Sequence, residues 1–311
     1  MLRPYEPPSA GTASRPTWNE LPPAVRAAVE QQHGPVREAS SQRGGFTPGF
    51  ASRLQLAGGR RVFVKAVSQH DGPIHDSYVR ESHVAAALPS SVPAPRLLWA
   101  QDVSGWQVLA FEDVDARTPR RPWDLDDLTR VLDVLPDVAA ALTPAPPGLT
   151  DLETTADLDA TFNHWRTWSG PPSARVDLLA DLEADWAALA AGDTASHFDL
   201  REDNLLLTTD GRVLLCDWNW LALTAPWTDL VSLLISAHGD GLDADALLAV
   251  HPLAQGVEPR AVDALLAMMA GYYTAMAARP DEPRSPWMRV HQAWWRDATM
   301  SWLSRRRHLA D

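Results

Sequence analysis

The chain has 311 residues, 45% of them hydrophobic, and its 27 Lys+Arg against 40 Asp+Glu leave a net charge of −13. That length can bury a substantial core in two lobes or domains, and the acidic balance excludes nucleic acid and anionic membrane as favoured partners. The single cysteine, Cys216, excludes an intrachain disulfide and a Cys-based zinc site, and in its apolar run it reads as a small buried hydrophobe.

Met1 to Pro16 is rich in Pro and Ser and lacks the apolar segment of a secretory signal. No run approaches the roughly 20 apolar residues of a membrane span, so a cytoplasmic protein is expected. Residues 1–20 read as a flexible or loosely docked arm. Pro22-Pro23 opens a short helix, Ala24 to Gln32, that stops at Gly34. From Val36 to Phe111 the signals are mostly β. Gln42 to Phe50 is a Gly-rich turn, and Ala51–Ala57, Arg61–Val67, Arg96–Ala100 and Trp106–Phe111 are strand-like. Gly58-Gly59 marks a hairpin, and His75 to Leu88 carries helical spacing. From Asp124 the pattern turns helical, with candidates at Asp124–Leu142, Ala156–Trp168, Arg175–Ala191, Trp227–His238 and Pro259–Ala278. A last helix carries His291, Trp294, Trp295, Ala298 and Trp302 on one stripe and ends in Arg305-Arg306-Arg307, where cations complement the helix dipole.

The richest stretch is Ser196 to Asp217. Leu205–Leu207 and Val213–Cys216 are short apolar runs separated by Thr208-Thr209-Asp210-Gly211, a strong hairpin signal. Such a hairpin sets Asn204 at its start beside Asp217 at its end, with Asp199 on the loop just upstream. Phosphoryl transfer from a nucleotide needs a carboxylate that orients the attacking hydroxyl and metal ions that neutralise the triphosphate. Asp and Asn oxygens suit Mg²⁺, a hard cation. Asn204 and Asp217 are thus the candidate metal ligands and Asp199 the candidate base.

His197-Phe198-Asp199-Leu200-Arg201-Glu202-Asp203-Asn204 and Cys216-Asp217-Trp218 resemble the catalytic and metal-binding motifs of the aminoglycoside phosphotransferase family, relatives of choline kinases and, more distantly, of eukaryotic-type protein kinases. Pro226-Trp227-Thr228-Asp229-Leu230 is similar to the family's following segment, in which an Asp precedes an apolar helix. The resemblance implies an α+β, bilobal protein-kinase-like fold with a small β-rich N-terminal lobe and a larger, mainly helical C-terminal lobe. In that arrangement residues 21–114 form the nucleotide-binding lobe and 115–311 the helical lobe with the catalytic loop and acceptor site. Asp229 is implied to accept N–H bonds from the catalytic loop. Phe198 stands where many relatives carry Gly.

A kinase also needs a lysine for the α- and β-phosphates and a glutamate to hold it. Lys65, in the strand Val62 to Val67, is the only lysine in the chain, and Glu81 follows 16 residues later in the helix His75–Leu88. Alternation puts Phe63, Lys65 and Val67 on one face. The Gly-rich turn around Gly45 is neither G-x-G-x-x-G nor a P-loop, yet its amides can cover the triphosphate. Phe111, Glu112 and Val114 resemble the inter-lobe hinge that pairs with adenine. Arg201 is placed to neutralise charge on the transferring phosphoryl group. The expected cofactors are ATP (or GTP) and Mg²⁺, and the expected partner is a small-molecule acceptor. Trp123, Trp165, Trp168, Trp186, Trp218, Trp220 and Trp227, with Asp124, Asp126, Asp127, Asp157 and Asp159, offer aromatic and acidic groups suited to an aminoglycoside-like antibiotic, an amino sugar or a related metabolite, and equally suited to a core. The alternative from another class is a catalytically silent nucleotide-binding regulator, against which the presence of Lys65, Asp199, Asn204 and Asp217 argues. No Ala-Pro-Glu follows Asp217, which sets a protein kinase aside.

Overall fold

A computed structural model describes residue 2 and residues 11–308. The expected arm falls partly on residues 1 and 3–10, outside the described residues. From residue 11 onward the chain is docked. Thr12 is buried and its amide donates to the Arg43 carbonyl at 3.1 Å.

Helix α1 (Pro23–His33) starts with Pro in its first turn, and Gly34, with φ +105°, ends it. Strands β1 (Val36–Ser41), β2 (Phe50–Leu56), β3 (Arg61–Ser68), β4 (Leu97–Asp102) and β5 (Trp106–Glu112) form an antiparallel sheet in the order β1-β2-β3-β5-β4. Gly59, at φ +83°, makes the tight β2–β3 turn that an L side chain would strain. Helix α2 (Pro73–Ala87) connects β3 to β4. The period-2 alternation of β3 sorts its side chains to two faces. Val62, Val64 and Ala66 pack with Val25 and Val29 of α1, whereas Val67 and Phe63 pack with Tyr78 of α2. Lys65 shares the α2 face.

A two-residue strand, β6 (Ala116–Arg117), lies at the passage to the helical part. It pairs with β8 (Leu205–Thr208), which forms a hairpin with β9 (Val213–Leu215) across a turn containing Gly211 at φ +92°. Helix α3 (Leu125–Ala141) is capped by Asp124, whose carboxylate accepts the amides of Asp126 and Asp127. Helix α4 covers only Thr155–Leu158, shorter than the expected 156–168. The cause is tertiary. Glu183, in α5 (Ala174–Leu189), accepts the amides of Trp165 at 3.0 Å and Arg166 at 2.9 Å, which holds that segment in turns. Strands β7 (Thr194–Ser196) and β10 (Ala222–Thr224) pair antiparallel just before and after the hairpin. Helices α6 (Thr228–Gly239), α7 (Ala244–Val250), α8 (Pro259–Ala277) and α9 (Met288–Arg307) complete the larger part. The core there runs through Leu182, Trp186, Leu230, Leu266, Trp295 and Trp302. The terminal arginines are paired, Arg306 with Asp245 and Asp263 and Arg305 with Asp243. Among the described residues no helix is long and apolar enough to cross a membrane.

The tryptophans are mainly structural. Trp123, Trp165, Trp186, Trp218 and Trp227 are buried, and Trp168 and Trp220 are exposed. The acids near them are also committed, Asp127 to Arg117, Asp159 to Arg166, and Asp124 and Asp157 to helix caps. Trp186 has 0% exposure and meets Phe162 edge-on at 6.0 Å. Trp186→Ala is expected to cost about 3–5 kcal/mol of stability, read as a lower urea midpoint at unchanged slope.

Candidate active site

The site is assembled from β-strand ends and the loops that follow them. Lys65 projects from the middle of β3 toward α2, where its ammonium lies 2.5 Å from Glu81. The same ammonium lies 2.8 Å from Asp217, which follows β9 on the other side of the cleft, and 5.1 Å over the Tyr78 ring. Burial pulls the Lys65 ammonium toward deprotonation, but Asp217 and Glu81 more than reverse this and hold it charged. Burial likewise pushes Asp217 up, yet Lys65 outweighs it and leaves the carboxyl below its usual range. For Glu81 burial wins over Lys65, and its carboxyl is pushed up to about 7. Asp217 therefore carries the firm negative charge of the trio.

Asp217 has φ +66° and Phe198 φ +60°. Asp tolerates the left-handed region, whereas a bulky ring there is strained. A Gly at that position would adopt this conformation without the strain. Surrounding bonds fix the loop. The Asp229 carboxylate, in the first turn of α6, accepts the amides of His197 at 2.8 Å and Phe198 at 2.9 Å. His197 Nε2 lies 3.0 Å from the Cys216 carbonyl, and its ring lies 4.7 Å from that of Trp218. The loop 197–204 is thereby tied both to α6 and to the end of β9.

Asn204 donates its Nδ2 to the Asp199 backbone carbonyl at 2.8 Å and to Asp199 Oδ2 at 3.3 Å. The carboxamide oxygen is left for another partner. The Cys216 amide bonds the Asn204 carbonyl at 2.9 Å, so the hairpin does bring the neighbours of Asn204 and Asp217 together. Arg201 is held between two carboxylates. It ion-pairs with Asp199 and binds Asp203 through a fork at 3.0 and 3.1 Å. Burial raises the Asp199 pKa against the opposing pull of Arg201.

A cavity of about 1070 Å³ lies between the sheet and the helical part. It is lined by Lys65, Glu81, Gly45, Phe111, Glu112, Val114, Asn204 and Asp217, from six different places in the chain. Asp199 and Arg201 are not lining residues; Asn204 and Asp203, which they contact, are. Cys216, expected to be buried, is half-buried and lines the cavity, because the side of β9 it occupies faces the cleft.

Several residues at the site carry no local sequence signal. Arg121 binds Asp240 through a fork at 2.5 and 2.8 Å, pairs with Glu202 of the catalytic loop, and stacks over Trp294 at 4.7 Å. Asp113 binds Arg53 and Arg61 at 3.2 and 2.9 Å beneath Val114. Phe46, at the tip of the Gly-rich turn, lies 4.2 Å from the ring of His291 in α9.

These features define a phosphotransferase-type cleft, and the chain belongs to the phosphotransferase enzyme family, whose model matches residues 52–265. The fold is similar to a thermostable mutant of aminoglycoside phosphotransferase APH(4)-Ia in ternary complex with ADP and hygromycin B, at 16% identity and a TM-score of 0.61 over 91% of this chain and 98% of that one. It is also similar to choline kinase LicA from Streptococcus pneumoniae, at 14% identity and a TM-score of 0.63 over 90% and 98% of the chains. A third likeness is to spectinomycin phosphotransferase APH(9)-Ia in complex with ADP and spectinomycin, at 12% identity and a TM-score of 0.54 over 88% and 92%. No curated protein sequence matches. The chain is therefore a phosphotransferase with a kinase-like fold.

Burial drives the His291 imidazole down to about 3, against Asp203 and with Arg201 and Arg121. The folded chain thus stays neutral there while the unfolded chain takes up the proton near pH 6.5. More protons bind to the unfolded state below that pH, so stability falls as the solution is acidified toward 3. His291→Phe is expected to lose roughly 1–2 kcal/mol less than wild type between pH 7 and pH 5, measured as the change in urea midpoint. Asp229→Ala, which frees the amides of His197 and Phe198, is expected to lower turnover at least tenfold while the chain stays folded, read by steady-state kinetics beside circular dichroism.

Proposed function

We propose that this enzyme moves the γ-phosphoryl group of ATP (or GTP) to a hydroxyl of an amine-bearing small molecule. The observation that carries this reading is the convergence of Lys65, Glu81, Asp217 and Asn204 on one cavity, with Asp199 directly behind Asn204. Lys65 would grip the α- and β-phosphates, and Glu81 would hold it in place. The strand-edge backbone from Phe111 through Glu112 to Val114 would receive the purine.

The donor set fits Mg²⁺. Asn204 has a carboxamide oxygen to offer, and Asp217 spends only one carboxylate oxygen on Lys65. Among the described residues no group of three His, Cys, Asp or Glu side chains forms a closed metal site. Two protein oxygens completed by phosphate oxygens and water are the usual demand of Mg²⁺. When bound, the ion would neutralise charge on the triphosphate. Asp199 would orient the acceptor hydroxyl in line and take its proton, with Arg201 keeping its carboxylate in position beside the transferring group.

The acceptor reading, an aminoglycoside-like antibiotic, an amino sugar or a related metabolite, is supported by family membership and by the hygromycin B and spectinomycin in the complexes of similar fold. The net charge of −13 agrees with a cationic acceptor.

Asp199→Ala is expected to reduce transfer by about 10²–10⁴-fold while nucleotide affinity stays within a few-fold. ADP formation with a panel of aminoglycosides, amino sugars, choline and macrolides, together with nucleotide titration, tests this. A variant that turns over at the wild-type rate would remove Asp199 from the mechanism.

A further inference from the structure

The segment 11–17, ahead of the first helix, crosses the mouth of the cleft. Thr12 bonds the carbonyls of Arg43 and Gly45, and the Ser14 amide donates to the Arg284 carbonyl at 2.7 Å. Arg284 is itself paired with Asp71 at 2.7 Å. The strap therefore touches both the Gly-rich turn and the segment that leads into α9.

Arg15 extends from this strap under the turn. Its guanidinium donates to the carbonyls of Gly44 at 2.7 Å, Gly45 at 3.1 Å and Gly49 at 3.2 Å, and to that of Thr47. A trans peptide points its N–H opposite to its C=O. The amides of Gly45, Phe46 and Phe50, which follow three of these carbonyls, thus face away from Arg15, and Pro48, which follows the fourth, has no N–H, so at this point the positive pole of the turn is Arg15 itself. Gly49 lies against Tyr78, since a Cβ there would meet the Tyr78 hydroxyl at 2.6 Å, and Lys65 sits over the same ring. Arg15 and Lys65 line one cavity from adjoining positions.

The charge pattern separates Arg15 from its neighbours. Lys65 is held by Glu81 and Asp217, Arg201 by Asp199 and Asp203, and Arg121 by Glu202 and Asp240. Arg15 contacts no carboxylate among the described residues, and its Nε is buried without an acceptor. Burial pulls its guanidinium toward deprotonation, with Asp217 and Tyr78 opposing. A desolvated cation that meets only neutral carbonyls favours an incoming anion.

We propose that residues 11–17 deliver Arg15 into the cleft as a second phosphate-binding cation beside Lys65, contacting the triphosphate of the nucleotide. This rests on the nucleotide reading above. The Gly-rich turn then serves as the frame that holds Arg15, and Arg15 as the group that binds.

Isothermal titration of the full chain with Mg²⁺ and β,γ-imido-ATP, and separately with adenosine, tests the proposal. Arg15→Gln keeps a donor for the carbonyls and removes the charge. It is expected to weaken the triphosphate analogue about tenfold or more and to leave adenosine within about twofold. Arg15→Lys keeps the charge and loses the fork, and is expected to retain most of the affinity. An Arg15→Gln variant that binds the analogue as wild type does, or that loses adenosine in the same proportion, overturns the proposal. So does an Arg15→Lys variant that loses as much as Arg15→Gln. Wild-type protein that binds neither probe overturns the nucleotide reading together with this one, whereas wild-type binding with an indifferent Arg15→Gln overturns the strap alone.

Discussion

One ammonium joins the two halves of this molecule. Lys65 stands on β3, Glu81 on α2 and Asp217 after β9, and the first contact lies within the sheet half while the second crosses the cleft. Lys65 and Glu81 are largely out of water and Asp217 partly so; the ammonium needs the carboxylates, and each carboxylate the ammonium, to keep its charge. The pairing is consequently a test of closure: if the halves separate, Lys65 keeps only Glu81, whose carboxyl is already pushed up to about 7. Two further contacts draw the halves together. Phe46 against His291, and the strap against Arg284, both bring the Gly-rich turn down toward α9.

The catalytic loop depends on a second constraint, the distribution of backbone bonds around two left-handed residues. Phe198 and Asp217 adopt φ values near +60° that cost energy unless their neighbours over-determine them. Asp229 supplies two bonds to the loop on one side, and His197 reaches Cys216 on the other. The strain is therefore held between α6 and β9, with Asp217 on the cleft and Asp199 behind Asn204.

Much of this was legible in the residues because the chemistry is written locally. The Asp-Gly turn and its flanking apolar runs predict the β8–β9 hairpin, and the hairpin alone brings the ends that carry Asn204 and Asp217 together. The single lysine and the helical Glu81 point to their ion pair through residue type and spacing. The short strands β6, β7 and β10 were not legible, since two or three residues carry no period. The helix expected over 156–168 failed for a related reason. Its amides at Trp165 and Arg166 are claimed by Glu183, a partner far along the chain that no local pattern announces. Arg121 and Asp240 lie 119 residues apart and meet only in the folded state.

On the nucleotide reading proposed above, the electrostatics of the cleft favour a metal-assisted reaction. Glu81, Asp199, Glu202, Asp203 and Asp217 gather around Lys65, Arg201 and Arg121, so the cations are already spent on protein carboxylates. A triphosphate brought into such surroundings adds like charge to like charge, and paired arginines cannot compensate without abandoning their partners. Compensation must come from groups that are not committed. On that reading, Asp217 and Asn204 would offer oxygens to a cation, and Arg15, which meets only backbone carbonyls, would offer its charge to an anion. A nucleotide entering with its divalent cation meets both demands at once. On the same reading, the bare triphosphate would meet one demand and aggravate the other.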